Sequence, residues 1–192
     1  MRIGGGNANR RPLHSVTGRE VRPTSGRVRQ ALYNMLHDLI RDAMFVDLFA
    51  GTGSVGLEAL SHGARHAYFV EHDHRALATL EGNIVRCEMH AQATIVAATL
   101  PQALQRLPAS LQADILFLDP PYTSELAEAT FTALSTCRLL AAHGILIWQH
   151  SVRQVIPHTV LDRTLWKSRR YGNTQLSLYA ALPSGSEARD AC

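Results

Sequence analysis

The chain reads as an α/β fold built on a doubly wound, mostly parallel sheet that ends in an antiparallel hairpin. Three observations predict it. Short apolar runs alternate with longer amphipathic ones from residue 44 onward, and strands separated by helices pair in parallel through right-handed crossovers. The first apolar run passes directly into a glycine-rich turn, DLFAGTGSVG, that opens a helix. Near the end, VLDRTLWKSRRYG and NTQLSLYAAL are two extended runs joined by a Gly-Asn turn, the pattern of a hairpin at a sheet edge.

The elements follow in order. A helix begins at Pro23-Thr24-Ser25, where Thr24 or Ser25 can cap it, and Val28, Ala31, Leu32, Met35, Leu36 and Leu39 recur at helical spacing. MFVDLF is a strand, Val55–Ser61 a helix, HAYFVE a strand and Arg75–Cys87 a helix. ATIVA is then a strand, Leu100–Leu107 a helix, DILFLD a strand, Glu125–Leu140 a helix and GILIWQ a strand. Residues 1–22 lack periodicity and read as a basic N-terminal extension; residues 183–192 read as a flexible tail.

With 192 residues, 46% of them hydrophobic, the chain is expected to form one domain with a real core. No apolar run approaches the ~20 residues of a membrane helix, and MRIGGGNANRRPLH has no apolar stretch behind its charges, so neither membrane insertion nor a secretory signal is expected. Three widely spaced cysteines, Cys87, Cys137 and Cys192, form neither a CxxC pair nor a disulfide framework, which fits a reducing cytoplasm. The net charge of +3 is unevenly placed: residues 1–41 hold eight arginines against Glu20 and Asp38, giving +6. The rest of the chain is −3, and this asymmetry suggests a phosphate-rich partner held by the basic segment.

Gly51, Gly53 and Gly56 satisfy GxGxxG, and Glu71 lies 20 residues after Gly51 at the end of the second strand. Such a turn brings backbone N–H groups to a ligand, and the acid can accept from ribose hydroxyls. A nicotinamide cofactor would use the same geometry, but no tyrosine here has a lysine four positions later, and the only lysine is Lys167. A phosphate-binding GxxxxGK[ST] loop is absent. The loop begins with Asp47 two residues before Phe49, and this D-x-F-x-G-x-G form resembles the S-adenosylmethionine loop of class I methyltransferases. That ligand carries an ammonium and a sulfonium, for which a carboxylate at a strand end is useful.

The fourth strand runs into Asp119-Pro120-Pro121-Tyr122. The lone pair of a base's exocyclic amine is delocalised into the ring, so the amine is a poor nucleophile. Two acceptors for its hydrogens shift electron density onto nitrogen as a methyl arrives. Asp119 offers a carboxylate and Pro120 a carbonyl, and Pro121 confines Pro120 to an extended conformation that fixes the carbonyl direction. Tyr122 can stack on the base, worth about 1–3 kcal/mol, and a base within a helix must be swung out to reach it.

On these motifs, together with RPTSGRVRQALYNML at 22–36, DLFAGTGSVGLEALSHGA at 47–64, FVEHD at 69–73 and RRYGNTQLSLY at 169–179, the sequence resembles the RsmD-type methyltransferases. The resemblance, which runs from about residue 2 to 182, implies a class I S-adenosylmethionine-dependent methyltransferase (Rossmann-like) fold, with the methyltransferase domain over residues 23–182. It also implies methyl transfer from S-adenosyl-L-methionine to the N2 amine of a guanine in small-subunit ribosomal RNA. The expected catalytic residues are Asp119, Pro120, Pro121 and Tyr122. The expected cofactor residues are Asp47, Phe49, Gly51, Gly53, Glu71, His72, Ala98 and Asp119. Arg10, Arg11, Arg22, Arg27, Arg29 and Arg170 are expected to touch RNA, either free or within an assembling small subunit, and a cytoplasmic monomer is expected. Two positions depart from the family pattern. Ala97-Ala98 stands where relatives usually have Gly-Asp, and Gln149-His150-Ser151 where they often have Glu-His-Ser.

Glu71-His72-Asp73-His74 alternates histidine and acid, but no further ligand is implied, so no metal is expected. Asn83 and Cys87 read as structural. Two rival functions remain open: a DNA or other RNA amino-methyltransferase of the adenine N6 type with the same DPPY chemistry, and a non-catalytic RNA-binding protein on this scaffold.

Overall fold

The structure, a computed structural model, describes residues 1–16, 24–121 and 125–181. One eight-stranded sheet forms its centre. Strands β1 (Met44–Asp47), β2 (His66–Glu71), β3 (Ala93–Ala97), β4 (Ala113–Leu118) and β5 (Leu140–Ser151) are parallel, and β6 (Thr159–Val160), β7 (Arg163–Tyr171) and β8 (Thr174–Ala180) are antiparallel. The strand order is β3-β2-β1-β4-β5-β8-β7-β6. The chain therefore steps outward from β1 to β3 and then returns to place β4 on the other side of β1. That reversal opens a crevice beyond the carboxyl ends of β1 and β4.

Helices α1 (Gly26–Met35), α2 (Ser54–Ser61) and α3 (His74–Cys87) pack on one face, and α4 (Glu125–Thr136) on the other. Phe45, Phe69, Phe117, Ile147 and Leu178 point to the first face, Val46, Val70, Leu116, Leu118 and Trp148 to the second, the alternation of a sheet covered on both sides. Every residue of α2 is buried, including Glu58 and Ser61. Gly56 lets this helix lie on β2, since a Cβ there would stand 2.3 Å from the Phe69 ring.

Several elements differ from those the sequence predicts. Leu100–Leu107 holds a short 3-10 turn, Gln102–Arg106. Helix α4 stops at Thr136, and Leu140, read as its last residue, opens the twelve-residue β5. The two-residue β6 at the sheet edge was not anticipated. Ser25, rather than Thr24, caps α1 by accepting from the Val28 N–H at 3.3 Å.

The basic N-terminal segment is packed on the body. Ile3, Ala8 and Leu13 are buried in the core, and Arg2 and Pro12 form an antiparallel bridge. Gly4, Gly5 and Gly6 let the backbone lie flat on α2, where a Cβ at Gly6 would stand 1.8 Å from the Ser61 carbonyl. Ser61 Oγ accepts from the Ala8 N–H and donates to the Gly5 carbonyl. Asn83, fully buried on α3, accepts from the His14 N–H and donates to the carbonyls of His14 and Thr52, tying this segment to the glycine loop. Residues 183–192, expected as the tail, lie outside the described residues. Among the described residues no helix is long and apolar enough to cross a membrane.

Candidate active site

A cavity of about 460 Å³ occupies the crevice beyond β1 and β4. The glycine loop forms one wall through Phe49, Gly51 and Ser54; Glu71 and His72 follow from β2, Ala98 and Leu100 from beyond β3, and Asp119 and Pro121 from β4. Thr24 and the N-terminal residues Ser15 and Val16 close it from above.

The three glycines of GxGxxG do different work. Gly51 lines the cavity with φ +54°, and a Cβ there would meet no protein atom within 4 Å, so the backbone is open to a ligand. Gly53 does not line the cavity. It caps α2 at φ +78°, and a Cβ would stand 2.2 Å from Leu80 Cδ1, so its role is packing rather than ligand contact.

Glu71 braces the loop. Its Oε2 accepts from the Gly51 N–H at 2.8 Å, and its Oε1 from the N–H groups of His72 at 2.7 Å and Asp73 at 2.8 Å. The acid is thus aimed along the cavity rim, with lone pairs left for hydroxyl donors. His72 lines the cavity at its edge, with Nδ1 3.4 Å from Glu71 Oε1. Among the described residues no cluster of histidine, cysteine and acid could hold a metal ion.

Asp47 also departs from expectation. It is buried behind the loop rather than lining the cavity, and its Oδ2 accepts from the Gly56 N–H at 3.3 Å in the first turn of α2. Its Oδ1 is buried without a partner. Burial pushes its carboxyl up to about 8, against the hydrogen bond from Gly56, with the nearby acids Asp119 and Glu71 adding to the rise.

Asp119 stands where β4 ends. Its Oδ2 accepts from Gln149 Nε2 at 2.7 Å and from Thr24 Oγ1 at 3.3 Å. Burial raises its carboxyl to about 7, and those two hydrogen bonds oppose the rise. Thr24 and Gln149 were not read as site residues. They lie 95 and 30 positions from Asp119 in the chain, and only the fold brings them together. Pro120 is buried and Pro121 exposed at the cavity mouth; Tyr122 lies outside the described residues.

The charged groups lining the cavity are acidic: Glu71, Asp73 and Asp119, with no arginine or lysine among the described residues. Such a wall disfavours a pyrophosphate and suits a ligand with a ribose and a positive charge. Ala98 leaves the far end of the cavity apolar, and its N–H donates to the Glu71 carbonyl.

The predicted RNA arginines divide. Arg27, in the first turn of α1, is exposed three residues from Thr24. Arg170 is exposed near the β7–β8 turn, and the register of Ser151 with Thr174 puts that turn at the carboxyl end of β5, on the cavity side. Arg153 and Arg169 are exposed on the same edge and join them. Arg11 is bonded to the Arg86 carbonyl and Glu88 at the far end of α3, on the order of 20 Å from Glu71 at 1.5 Å per helical residue, and Arg10 precedes it there. Arg29 must be corrected outright. It is 2% exposed and ion-paired to buried Glu58 at 2.7 Å, so it cannot reach a nucleic acid. Arg22 lies outside the described residues.

The family described as "Conserved hypothetical protein 95" matches residues 1–180. The "Ribosomal RNA small subunit methyltransferase D" of Escherichia coli strain K12 is 30% identical over 198 residues, covering 99% of this chain and 94% of that protein. The Haemophilus influenzae protein of the same name is 30% identical, with 93% of both chains covered. A solved hypothetical protein from Thermus thermophilus superposes with a TM-score of 0.80 at 33% identity, over 95% of this chain and 99% of that one.

Proposed function

The chain belongs to the family described as Conserved hypothetical protein 95, and on that premise we propose that it methylates the N2 amine of a guanine in small-subunit ribosomal RNA with S-adenosylmethionine as donor. The observation that carries this reading is the Asp119 carboxylate, set by β4 at one end of a cavity whose other wall is the Gly51–Glu71 rim. The residues present fit the donor. Glu71 offers acceptor lone pairs for ribose hydroxyls, the open face of Gly51 lets a ligand approach the backbone, and the acidic lining matches a cation.

When bound, S-adenosylmethionine supplies an electrophilic methyl group. The protein's part is to present the amine. Asp119 accepts one N–H hydrogen of the amine and the Pro120 carbonyl the other, which draws the nitrogen lone pair out of the ring and toward the methyl. As the N–C bond forms the nitrogen must lose a proton, and the Asp119 carboxylate, with its affinity for a proton raised to about 7, is the adjacent base. Tyr122 supplies the stacking surface for the flipped base. Holding the reacting atoms in line can contribute about 7–11 kcal/mol.

Arg27, exposed at the start of α1, and Arg153, Arg169 and Arg170, exposed at the carboxyl end of β5, supply cations for the RNA backbone. Transfer of radiolabelled methyl groups to small-subunit rRNA, naked or in a partly assembled subunit, tests the reading, with nucleoside mass spectrometry locating the methyl on guanine N2. No transfer to either substrate overturns it. Transfer to duplex DNA and not rRNA would shift the assignment to the adenine-type rival.

A further inference from the structure

We propose that Thr24 and Gln149 form a clamp that orients the Asp119 carboxylate, and that the side-chain amide at position 149 favours its ionised form by donating to it. The inference rests on the reading of Asp119 as the amine acceptor and adds two positioning residues to it.

The donor count leaves little freedom. Gln149 Nε2 carries two hydrogens and has two acceptors, Asp119 Oδ2 at 2.7 Å and Thr24 Oγ1 at 3.2 Å. The Thr24 hydroxyl has one hydrogen and two acceptors in reach, Asp119 Oδ2 at 3.3 Å and Gln149 Oε1 at 3.4 Å, of which the carboxylate is the stronger. Both donations to the carboxylate therefore fall on Oδ2. They fix the plane of the group and leave the burden of accepting from a substrate to Oδ1.

Each member is held from behind. Gln149 is 4% exposed on β5, whose backbone is paired with β4 on one side and β8 on the other. Thr24 is 8% exposed, and its carbonyl accepts from Arg29 Nη1 at 2.8 Å. Arg29 is in turn ion-paired to Glu58 of the buried α2. A catalytic group needs this kind of support to stay within a fraction of an ångström of its working position.

Other charges bear on Asp119. Asp47 on β1 is the nearby buried acid, and Glu71 and Asp73 line the same cavity from β2 and the turn after it. Arg29 on α1 acts through the Thr24 carbonyl. Helix α4 contributes Leu126 to the cavity, with Glu125 beside it exposed. His150 faces the opposite side of β5 and bonds Ser177. An acid in direct contact would add to an already acidic neighbourhood. At 2.7 Å from Oδ2, a carboxylate in place of the amide could not ionise together with Asp119, and the two would share a proton.

The test is Gln149→Glu, a swap of nearly unchanged volume, with Thr24→Val and Thr24→Ser. The pH profile of kcat and the titration of the Asp119 carboxyl carbon by NMR, assigned with Asp119→Asn, are read together. The expected result is an upward move of both midpoints by more than one pH unit in Gln149→Glu, with cofactor affinity unchanged. Thr24→Val is expected to lower kcat roughly tenfold or more, the weight of a hydrogen bond to a charged group, and Thr24→Ser to restore it. Unmoved midpoints in Gln149→Glu, or equal rates for the two Thr24 variants, overturn the clamp. The NMR midpoint needs no turnover, so a moved midpoint in a protein that methylates no RNA would refute the proposed reaction and leave the clamp standing.

Discussion

Replacing Arg29 separates a structural arginine from an RNA-binding one. Its guanidinium is buried with Glu58, both side chains at 3% exposure or less, and it also donates to the carbonyls of Thr24 and Arg2 at 2.8 Å each. Arg29→Met keeps the aliphatic volume but leaves the Glu58 carboxylate buried without its cation and two carbonyls without their donor. Breaking one side of a buried pair costs about 3–5 kcal/mol. At roughly 2–4 °C per kcal/mol for a domain of this size, Tm should fall by about 6–20 °C. The double variant Arg29→Met/Glu58→Leu removes the orphaned charge and should recover most of the loss. Thermal unfolding of the three proteins, with filter binding of rRNA below the lowest transition, reads both quantities. An Arg29→Met protein that keeps its Tm and loses RNA affinity would refute the structural role.

Three further outcomes are expected. Asp119→Asn and Tyr122→Ala should each remove most methyl transfer while calorimetry still detects S-adenosylhomocysteine; wild-type rates in both would void the catalytic assignment. Gly56→Ala should destabilise the fold by about 1–3 kcal/mol through overpacking against Phe69 and leave cofactor affinity intact. Gly51→Ala should weaken cofactor affinity at least tenfold, a contrast that calorimetry and urea unfolding resolve. Asp47 titrates near 8 in the folded chain against an ordinary value of 3.8, so the native state binds the extra proton between those limits. Its contribution is therefore fully present below about pH 4 and is lost as pH rises through 8, at no more than about 1.4 kcal/mol per pH unit. Asp47→Asn should accordingly stabilise the protein more at pH 8 than at pH 5, and urea unfolding at the two pH values checks the sign.

The parallel strands were legible because a buried strand between helices reads as a short apolar run bounded by turns, and the glycine loop because its residues are contiguous. Element ends were harder. Cys137-Arg138-Leu139-Leu140 continues an apolar rhythm past Thr136, and nothing local says that the chain has already turned into β5. Long-range partnerships were hidden altogether. An arginine in a basic stretch looks solvent-bound until the fold puts Glu58, 29 residues away, against it. Likewise Thr24 reads as a helix cap until the fold sets its hydroxyl against Asp119 and Gln149. The glycine-rich start looked unstructured because glycines serve loose chains and close backbone contacts equally well.

The placement of β8 constrains how the protein can be made. This strand is the last of the sheet to be synthesised, yet it sits inside the sheet between β5 and β7 and buries Leu176, Leu178 and Tyr179 completely. Gln149 lies on β5 opposite Leu176, so the strand that carries it gains its second neighbour only when residues 174–180 have left the ribosome. A nascent chain halted before that point has the glycine loop and Asp119 but an open, apolar sheet edge at β5. The strand that carries Gln149 is therefore flanked on both sides only once β8 is in place, and until then its open edge is a site for unwanted strand pairing.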